Sequence, residues 1–147
     1  MEFTIKTEVE QAFAEADKTF DKETLTKLNP KFPPYKITCF DGLEPGHRVH
    51  VEFNFGLFKD KWEYQIAEKT VTDKEWSFVD AGSKMPFFLK SWRHRYKLSD
   101  ENGKTIVSDT VNFKSPFLLL DFLLYPWLYL HFLYRKPVYR QLFKKKP

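Results

Sequence analysis

The stretch "FLKSWRHRYKLSDENGKTIVSDTVNF" (residues 88–113) is the most informative about the fold, because it has the pattern of two β-strands joined by a tight turn. Its first half alternates Trp92, His94, Tyr96 and Leu98 with Arg93, Arg95 and Lys97, and its second half alternates Val107, Asp109, Val111 and Phe113 with Ile106, Ser108 and Thr110. Alternation with a period of two is typical of strands that bury one face. Between the halves, Asn102-Gly103 is a residue pair that favours a two-residue hairpin turn. The stretch therefore predicts an antiparallel hairpin with one apolar face.

The same alternation continues upstream of this hairpin. It recurs in "RVHVEFNFGLF" (48–58), "KWEYQIAEK" (61–69) and "KEWSFVDAG" (74–82). Near the N-terminus, "EFTIKTEVE" (2–10) predicts a first strand. Residues 11–30 predict two short helices, and residues 31–47 predict a loop, a strand and a turn. The predicted order is one strand, two short helices, about six antiparallel strands and a C-terminal helix. Strands in one run with helices at both ends are typical of an α+β fold and not of a doubly wound sheet.

The C-terminal stretch "SPFLLLDFLLYPWLYLHFLYRKPVYRQLFKKKP" (115–147) has two interpretations, a membrane anchor or the cover of the sheet. Its apolar run, Phe117 to Tyr134, contains two strongly polar residues, Asp121 and His131. A membrane-spanning helix needs about 20 mainly apolar residues, and both an internal Asp and Pro126 oppose insertion. The apolar face of the sheet needs a cover, and no other segment is long enough. We therefore predict a long helix over 117–145 that packs on a curved sheet.

This helix is predicted to have two apolar faces. The face that suits the sheet carries Leu120, Leu124, Trp127, Leu128, His131 and Val138, and the opposite face carries Leu119, Phe122, Leu123, Leu130 and Leu133. The surface helix of a monomer is normally polar on its outer side. We expect the outer face to be covered by a second copy of the chain, by the N-terminal helices or by a membrane surface, and we favour a homodimer.

Composition and charge narrow the function classes. The 147 residues predict a single domain (1–147), and the net charge of +4 comes from a basic tail, because residues 1–134 carry 18 basic and 20 acidic residues. Nucleic-acid binders usually spread basic residues over a face, so we do not expect a nucleic-acid partner. Cys39 is the single cysteine and the N-terminus lacks a signal-peptide pattern, which favours the cytoplasm.

The whole pattern resembles the SRPBCC superfamily, whose START-like or helix-grip fold has a sheet wrapped around a long C-terminal helix. The resemblance is strongest for the bacterial polyketide cyclase/ligand-binding branch of the superfamily. It rests on "PGHRVHVEF" (45–53), "KWEYQIAEK" (61–69), "WSFVDAG…PFFLKSWRHRYKL" (76–98), "GKTIVSDTVNFKSP" (103–116) and "LHFLYRKPVYRQLF" (130–143). It implies a hydrophobic cavity between sheet and helix. Some members bind lipids, hormones or polyketides, and a few catalyse cyclisation or dehydration.

His94 and Asp109 are the candidate catalytic pair. If the hairpin turns at Asn102-Gly103, the numbers of facing residues sum to about 205. Tyr96 then faces Asp109, and His94 lies diagonal to Asp109. A slip of two residues would instead place His94 directly opposite Asp109. Either register puts both side chains on the apolar face. A carboxylate beside an imidazole fixes its tautomer and raises its pKa, as in a general base. The favoured interpretation of the pair is a structural or ligand-orienting contact between two buried polar groups, and catalysis is the alternative.

The aromatic face is the other candidate site. The predicted ligand-binding residues are Phe53, Phe55, Trp62, Tyr64, Trp76, Phe78, Trp92, Tyr96, Leu124, Leu128 and His131. No His, Cys or carboxylate spacing fits a metal site, and no phosphate-binding glycine motif is present, so neither a metal nor a cofactor is expected. Three functions remain: binding of a hydrophobic small molecule, cyclase or dehydratase activity through His94 and Asp109, or an interaction or membrane-surface role with a filled cavity. We favour the first, a binding protein with little or no enzymatic activity.

Overall fold

The structure is a computed structural model that describes residues 1–11, 14, 16–29 and 33–144. Its elements, in chain order, are β1 (Glu2–Val9), α1 (Ala16–Thr19), α2 (Lys22–Lys27), β2 (Tyr35–Phe40), β3 (Arg48–Asn54), β4 (Lys59–Val71), β5 (Glu75–Lys84), β6 (Ser91–Glu101), β7 (Lys104–Lys114), α3 (Leu118–Leu133) and α4 (Arg135–Leu142). The predicted order of one strand, two short helices, six strands and a C-terminal helical segment is confirmed.

The seven strands form one antiparallel sheet in the order β1-β7-β6-β5-β4-β3-β2. Its pairing is irregular between Ile37 and Cys39 of β2, and twice in β4, after Glu63 and after Ile66. An extra residue in one strand bends it and increases the local twist. These irregularities lie in the half of the sheet that includes β2–β5, and they help to curve the sheet around the helix.

The β6–β7 hairpin has the register that the sequence predicts. Tyr96 pairs with Asp109 and His94 pairs with Val111, so the slipped alternative is wrong. Asn102 and Gly103 form the turn with φ angles of 56° and 81°. Positive φ at both central positions is the geometry of the turn that matches the twist of paired strands.

The C-terminal helical segment differs from the predicted continuous helix over 117–145. It is bent at Tyr134, where α3 ends and α4 begins, and residues 145–147 lie outside the described part of the chain. We attribute the bend to Pro137, because a proline ring clashes with the carbonyl four residues earlier, here that of Leu133. Proline in the first turn of α4 loses no intrahelical bond there. By contrast, α3 continues through Pro126.

The buried stripe of the helical segment is rotated relative to the predicted one. Leu128 is buried, but Trp127 is 43% exposed, and Phe132, Arg135 and Tyr139 are buried although they were not predicted. The outer face is exposed as expected at Leu119, Phe122, Leu123, Leu130 and Leu133, each by 37% or more. Within the described residues, no helix has both the length and the apolar character needed to cross a membrane.

Candidate functional site

A pocket lies between the concave face of the sheet and the C-terminal helices. Its empty space is about 720 Å³, counting the part open to solvent, and the centre of a water molecule can move through about 60 Å³ of it. That inner space is several times what one buried water requires. The residues that line it are Leu25, Asn29, Pro33, Tyr35, Val51, Phe53, Phe55, Trp62, Tyr64, Asp80, Phe88, Trp92, His94, Tyr96, Trp127, Leu128, His131, Phe132 and Arg135.

Most of the predicted ligand-binding residues meet in this pocket. Phe53, Phe55, Trp62, Tyr64, Trp92, Tyr96, Leu128 and His131 line it, whereas Trp76, Phe78 and Leu124 do not. Trp76 and Phe78 lie on the predicted face, but Phe20 covers them, with ring centroids 5.1 and 5.8 Å away. Alternation therefore identified the correct face of β5, while a residue from the α1–α2 connection decides which part of that face remains open.

His94 and Asp109 form a buried hydrogen bond, with 2.7 Å between Nε2 and Oδ1. The same Oδ1 accepts from the Tyr139 hydroxyl at 3.0 Å and from Arg135 Nη1 at 3.3 Å. Burial would raise the pKa of Asp109, but the Arg135 charge and the hydrogen bonds from His94 and Tyr139 outweigh it and lower that pKa. Asp109 is thus an ionised carboxylate that lies behind His94, outside the pocket lining.

The pKa of His94 is not raised, contrary to the expectation from its carboxylate neighbour. Burial lowers it to about 4 and outweighs the hydrogen bond to Asp109, because desolvation disfavours the imidazolium ion. At neutral pH the ring is therefore neutral, with its Nε2–H donated to Asp109 and a lone pair on Nδ1. That Nδ1 lies 3.9 Å from Asp80 Oδ2.

Asp80 is a polar pocket residue that the sequence interpretation missed. It pairs with His94 in the β5–β6 register, and its Oδ1 accepts a hydrogen bond from Trp92 Nε1 at 3.1 Å. Burial raises its pKa to about 7, so it is partly protonated near neutral pH. Its parity with Trp76 and Phe78 was the available signal, since all three alternate onto one face of β5.

Arg135 was also missed, because it was assigned to the basic tail. It is 4% exposed, lines the pocket, and its guanidinium lies 4.2 Å above the Phe132 ring. Despite burial, which favours the neutral form, nearby groups including Asp109 keep the pKa of Arg135 above its ordinary value. The helical spacing from Leu128 through Phe132 to Tyr139 includes Arg135 and could have revealed its inward position.

The pocket thus combines apolar walls with one polar side. Asp80 and His94 place a proton donor and a neutral acceptor beside each other, while Arg135 supplies a positive charge balanced by Asp109. The tyrosines Tyr35 and Tyr64 are kept in the neutral form by burial, which raises the pKa of Tyr35 to about 12. Among the described residues, no group of three or more His, Cys, Asp or Glu side chains is arranged to hold a metal ion.

Comparison with solved structures identifies the fold. Over 97% of this chain and 50% of the other, the chain is similar to the di-domain ARO/CYC protein StfQ from the steffimycin biosynthetic pathway, with a TM-score of 0.70 and 8% identity. It is also similar to protein NE0264 from Nitrosomonas europaea (TM-score 0.66, 16% identity, 97% and 93% covered). A third similar structure is Ara h 8.0201 (TM-score 0.59, 15% identity, 94% and 96% covered).

The sequence itself matches no family model. It also matches no curated protein. The likeness is therefore one of architecture, in which a curved antiparallel sheet packs around a bent C-terminal helical segment. The chain has a helix-grip fold.

Proposed function

We propose that this protein binds a hydrophobic small molecule, a lipid or a polyketide-like aromatic compound, in the pocket between sheet and helix. The observation that carries the proposal is the lining itself, which is mainly aromatic and aliphatic with a few polar groups on one side. Ligand pockets have this character, since apolar walls provide affinity and placed polar groups provide orientation. The likeness to an ARO/CYC protein of steffimycin biosynthesis supports the same class of ligand through its fold.

Blocking the pocket tests this proposal. Leu128 is 4% exposed and lines the pocket, whereas Leu130 on the same helix is 63% exposed on the outer face. Leu128→Trp should weaken binding by about tenfold or more, because the indole occupies space that the ligand needs. Leu130→Trp is the matched control and should bind like the unmodified protein.

The binding measurement uses two fluorescent probes, cis-parinaric acid for lipids and the anthraquinone emodin for polyketide-like aromatics. Circular dichroism and thermal unfolding establish that both variants are folded. Where Leu128→Trp does not fold, His131→Trp blocks the pocket from a half-buried position. Equal affinity of all folded variants for both probes would contradict the proposal, as would failure of the unmodified protein to bind either probe.

A second candidate function is dehydration or cyclisation, favoured by the position of Asp80 beside His94. In this reaction the Nδ1 of His94 would take a proton from a carbon atom, and protonated Asp80 would give its proton to a departing hydroxyl group, which leaves as water. Asp109 would hold the His94 tautomer through Nε2, at 2.7 Å. This scheme retains the predicted His94–Asp109 pair and adds Asp80 as the acid.

The probe for this activity is 3-hydroxy-1-tetralone, whose loss of water gives fluorescent 1-naphthol. If the protein catalyses this reaction, the unmodified protein should form 1-naphthol faster than buffer alone. The rate should fall by about 100-fold in both His94→Ala and Asp80→Asn, with the fold retained. No acceleration by the unmodified protein, or unchanged turnover in His94→Ala, would remove it.

The exposed outer face of α3 supports a further proposal, that two copies of the chain associate through it. Five large apolar side chains, Leu119, Phe122, Leu123, Leu130 and Leu133, are exposed there. Contiguous apolar surface of this kind usually marks an interaction site. Contact with a membrane surface, helped by the basic residues that follow α3, is the alternative occupant.

A further inference from the structure

The pocket contains buried hydrogen-bond donors that have no acceptor. Among the described residues, the buried side-chain nitrogen and oxygen atoms without a partner include Arg135 Nε and Trp62 Nε1, and both residues line the pocket. Both atoms carry an N–H and neither can accept a hydrogen bond. The two donors therefore lack hydrogen-bond acceptors in the pocket.

Leaving such donors unpaired is costly, and one oxygen of each nearby carboxylate already accepts from other groups. Asp109 Oδ1 receives Arg135 Nη1, His94 and Tyr139, and Asp80 Oδ1 receives Trp92 Nε1. A buried donor without an acceptor destabilises the folded state by about 1–3 kcal/mol, and more where the donor is charged. An acceptor brought by a ligand would remove that penalty, so these donors make binding selective.

The rings around the two donors connect them along one side of the pocket. The Trp62 and Trp92 rings are 4.7 Å apart, Trp92 and Phe132 are 6.0 Å apart, and the Arg135 guanidinium lies 4.2 Å from the Phe132 ring. The chain of contacts consists of aromatic rings, packed edge-on or tilted, with an N–H donor in the residue at each end. An aromatic or conjugated molecule that carries oxygen atoms at its edge matches this arrangement in both shape and polarity.

We infer that the ligand is an apolar molecule bearing carbonyl or carboxylate oxygens, which accept hydrogen bonds from Arg135 Nε and Trp62 Nε1. This inference rests on the proposed binding function and adds the chemistry of the ligand's polar end. A pure hydrocarbon would leave both donors unpaired and bind less tightly. Both would gain from the charged Arg135 donor, and a carboxylate would gain more than a neutral carbonyl because it also carries the opposite charge.

Three naphthalene probes of similar size test the inference by calorimetric titration: 2-ethylnaphthalene without oxygen, 2-acetonaphthone with a carbonyl, and 2-naphthoate with a carboxylate. The unmodified protein should bind at least one oxygen-bearing probe about tenfold more tightly than the hydrocarbon, as expected for a hydrogen bond to a charged donor. Preference for 2-acetonaphthone or for 2-naphthoate identifies which oxygen chemistry the site takes.

Two conservative variants test whether the two donors cause the preference for an oxygen-bearing probe. Trp62→Phe keeps an aromatic ring but removes the N–H, and Arg135→Lys keeps the positive charge beside Asp109 but removes Nε–H. Each should reduce the ratio of the affinities for the oxygen-bearing probe and the hydrocarbon to about threefold or less. Arg140→Lys is the matched control, because Arg140 lies on α4 like Arg135 but is exposed and outside the pocket lining, and it should keep the tenfold preference.

The outcomes separate this inference from the binding proposal. If all three probes bind with equal affinity, water satisfies the two donors, and the inference is overturned while binding stands. If Trp62→Phe and Arg135→Lys both retain the full preference in folded protein, the donors are not responsible and the inference is again overturned. If no probe binds, the proposed function fails as well.

Discussion

At the scale of single residues, Asp80 is the buried carboxyl group whose protonation changes near neutral pH. Its pKa is raised from 3.8 to about 7 by burial, so between these values the folded protein holds a proton that the unfolded chain releases. The free energy of unfolding therefore falls as pH rises through this window, by about 4 kcal/mol from this group, and is constant above it. Above about pH 7 the buried charge remains as a cost to stability.

Asp80→Asn should remove this cost while its side-chain oxygen still accepts from Trp92 Nε1. We expect the unfolding free energy of the variant, relative to the unmodified protein, to rise by several kcal/mol between about pH 4 and about pH 7.5. Urea denaturation at both pH values measures the difference. His94 and His131, whose pKa values are lowered to about 4, make the unfolding free energy rise with pH. Both proteins contain these two residues, so their contributions largely cancel in the difference between the variant and the unmodified protein. A difference that does not change with pH would contradict this account.

Arg135 and Asp109 form a buried ion pair, in which each charge depends on the other. Arg135→Met should destabilise the fold by about 3–5 kcal/mol, because it leaves Asp109 buried without its cation. Adding Asp109→Asn should restore at least half of this loss, since the amide keeps an acceptor oxygen without a charge. Urea denaturation of the two single variants and the double variant gives the coupling energy.

Lys136→Met is the neighbouring control, because Lys136 is adjacent in sequence but its side-chain ammonium is exposed and donates to the Lys6 carbonyl. We expect a change of no more than about 1 kcal/mol there. Strictly additive effects of Arg135→Met and Asp109→Asn would show that the two side chains do not stabilise each other.

At the scale of secondary-structure elements, the β6–β7 turn depends on backbone conformation. Gly103 has a φ of 81°, a value that residues with a Cβ rarely adopt. Gly103→Ala should therefore destabilise the protein by about 1 kcal/mol or more, whereas Asn102→Gly at a φ of 56° should be nearly neutral. Thermal unfolding of the two variants gives the comparison, and an unchanged midpoint in Gly103→Ala would be the contrary result.

The sequence allowed this hairpin to be predicted because its information is local. Alternation set the faces of β6 and β7, and the Asn102-Gly103 turn set the register, so the proximity of His94 and Asp109 followed. The bend at Tyr134 is also encoded locally, by Pro137, whereas the prediction of a continuous helix considers Pro126 alone. In the structure α3 passes through Pro126 without interruption.

The rest of the site depends on contacts between distant segments. Arg135 is buried because Asp109, 26 positions earlier, lies opposite it, and no local pattern in the basic tail reports that partner. Likewise, Phe20 covers Trp76 and Phe78, so their absence from the pocket lining depends on how the α1–α2 region packs. The lowered pKa of His94 results from its depth of burial, which strand alternation does not measure.

At the scale of the whole molecule, the outer face of α3 predicts self-association. Leu123 is 63% exposed and Leu133 is 37% exposed, so Leu123→Lys and Leu133→Lys should leave the fold intact. We expect the unmodified protein to sediment as a dimer at micromolar concentration and each lysine variant to shift toward the monomer. An unmodified protein that stays monomeric at high concentration, with both substitutions tolerated, would contradict dimerisation.

Native mass spectrometry of protein purified from its own host shows whether the pocket holds a hydrophobic small molecule. We predict that the folded chain carries the added mass of an organic compound, which is released on denaturation and extracts into an organic solvent. The Leu128→Trp variant, purified in the same way, should lack that mass. Recovery of only the bare chain from the unmodified protein, with nothing extractable, would contradict the proposed binding.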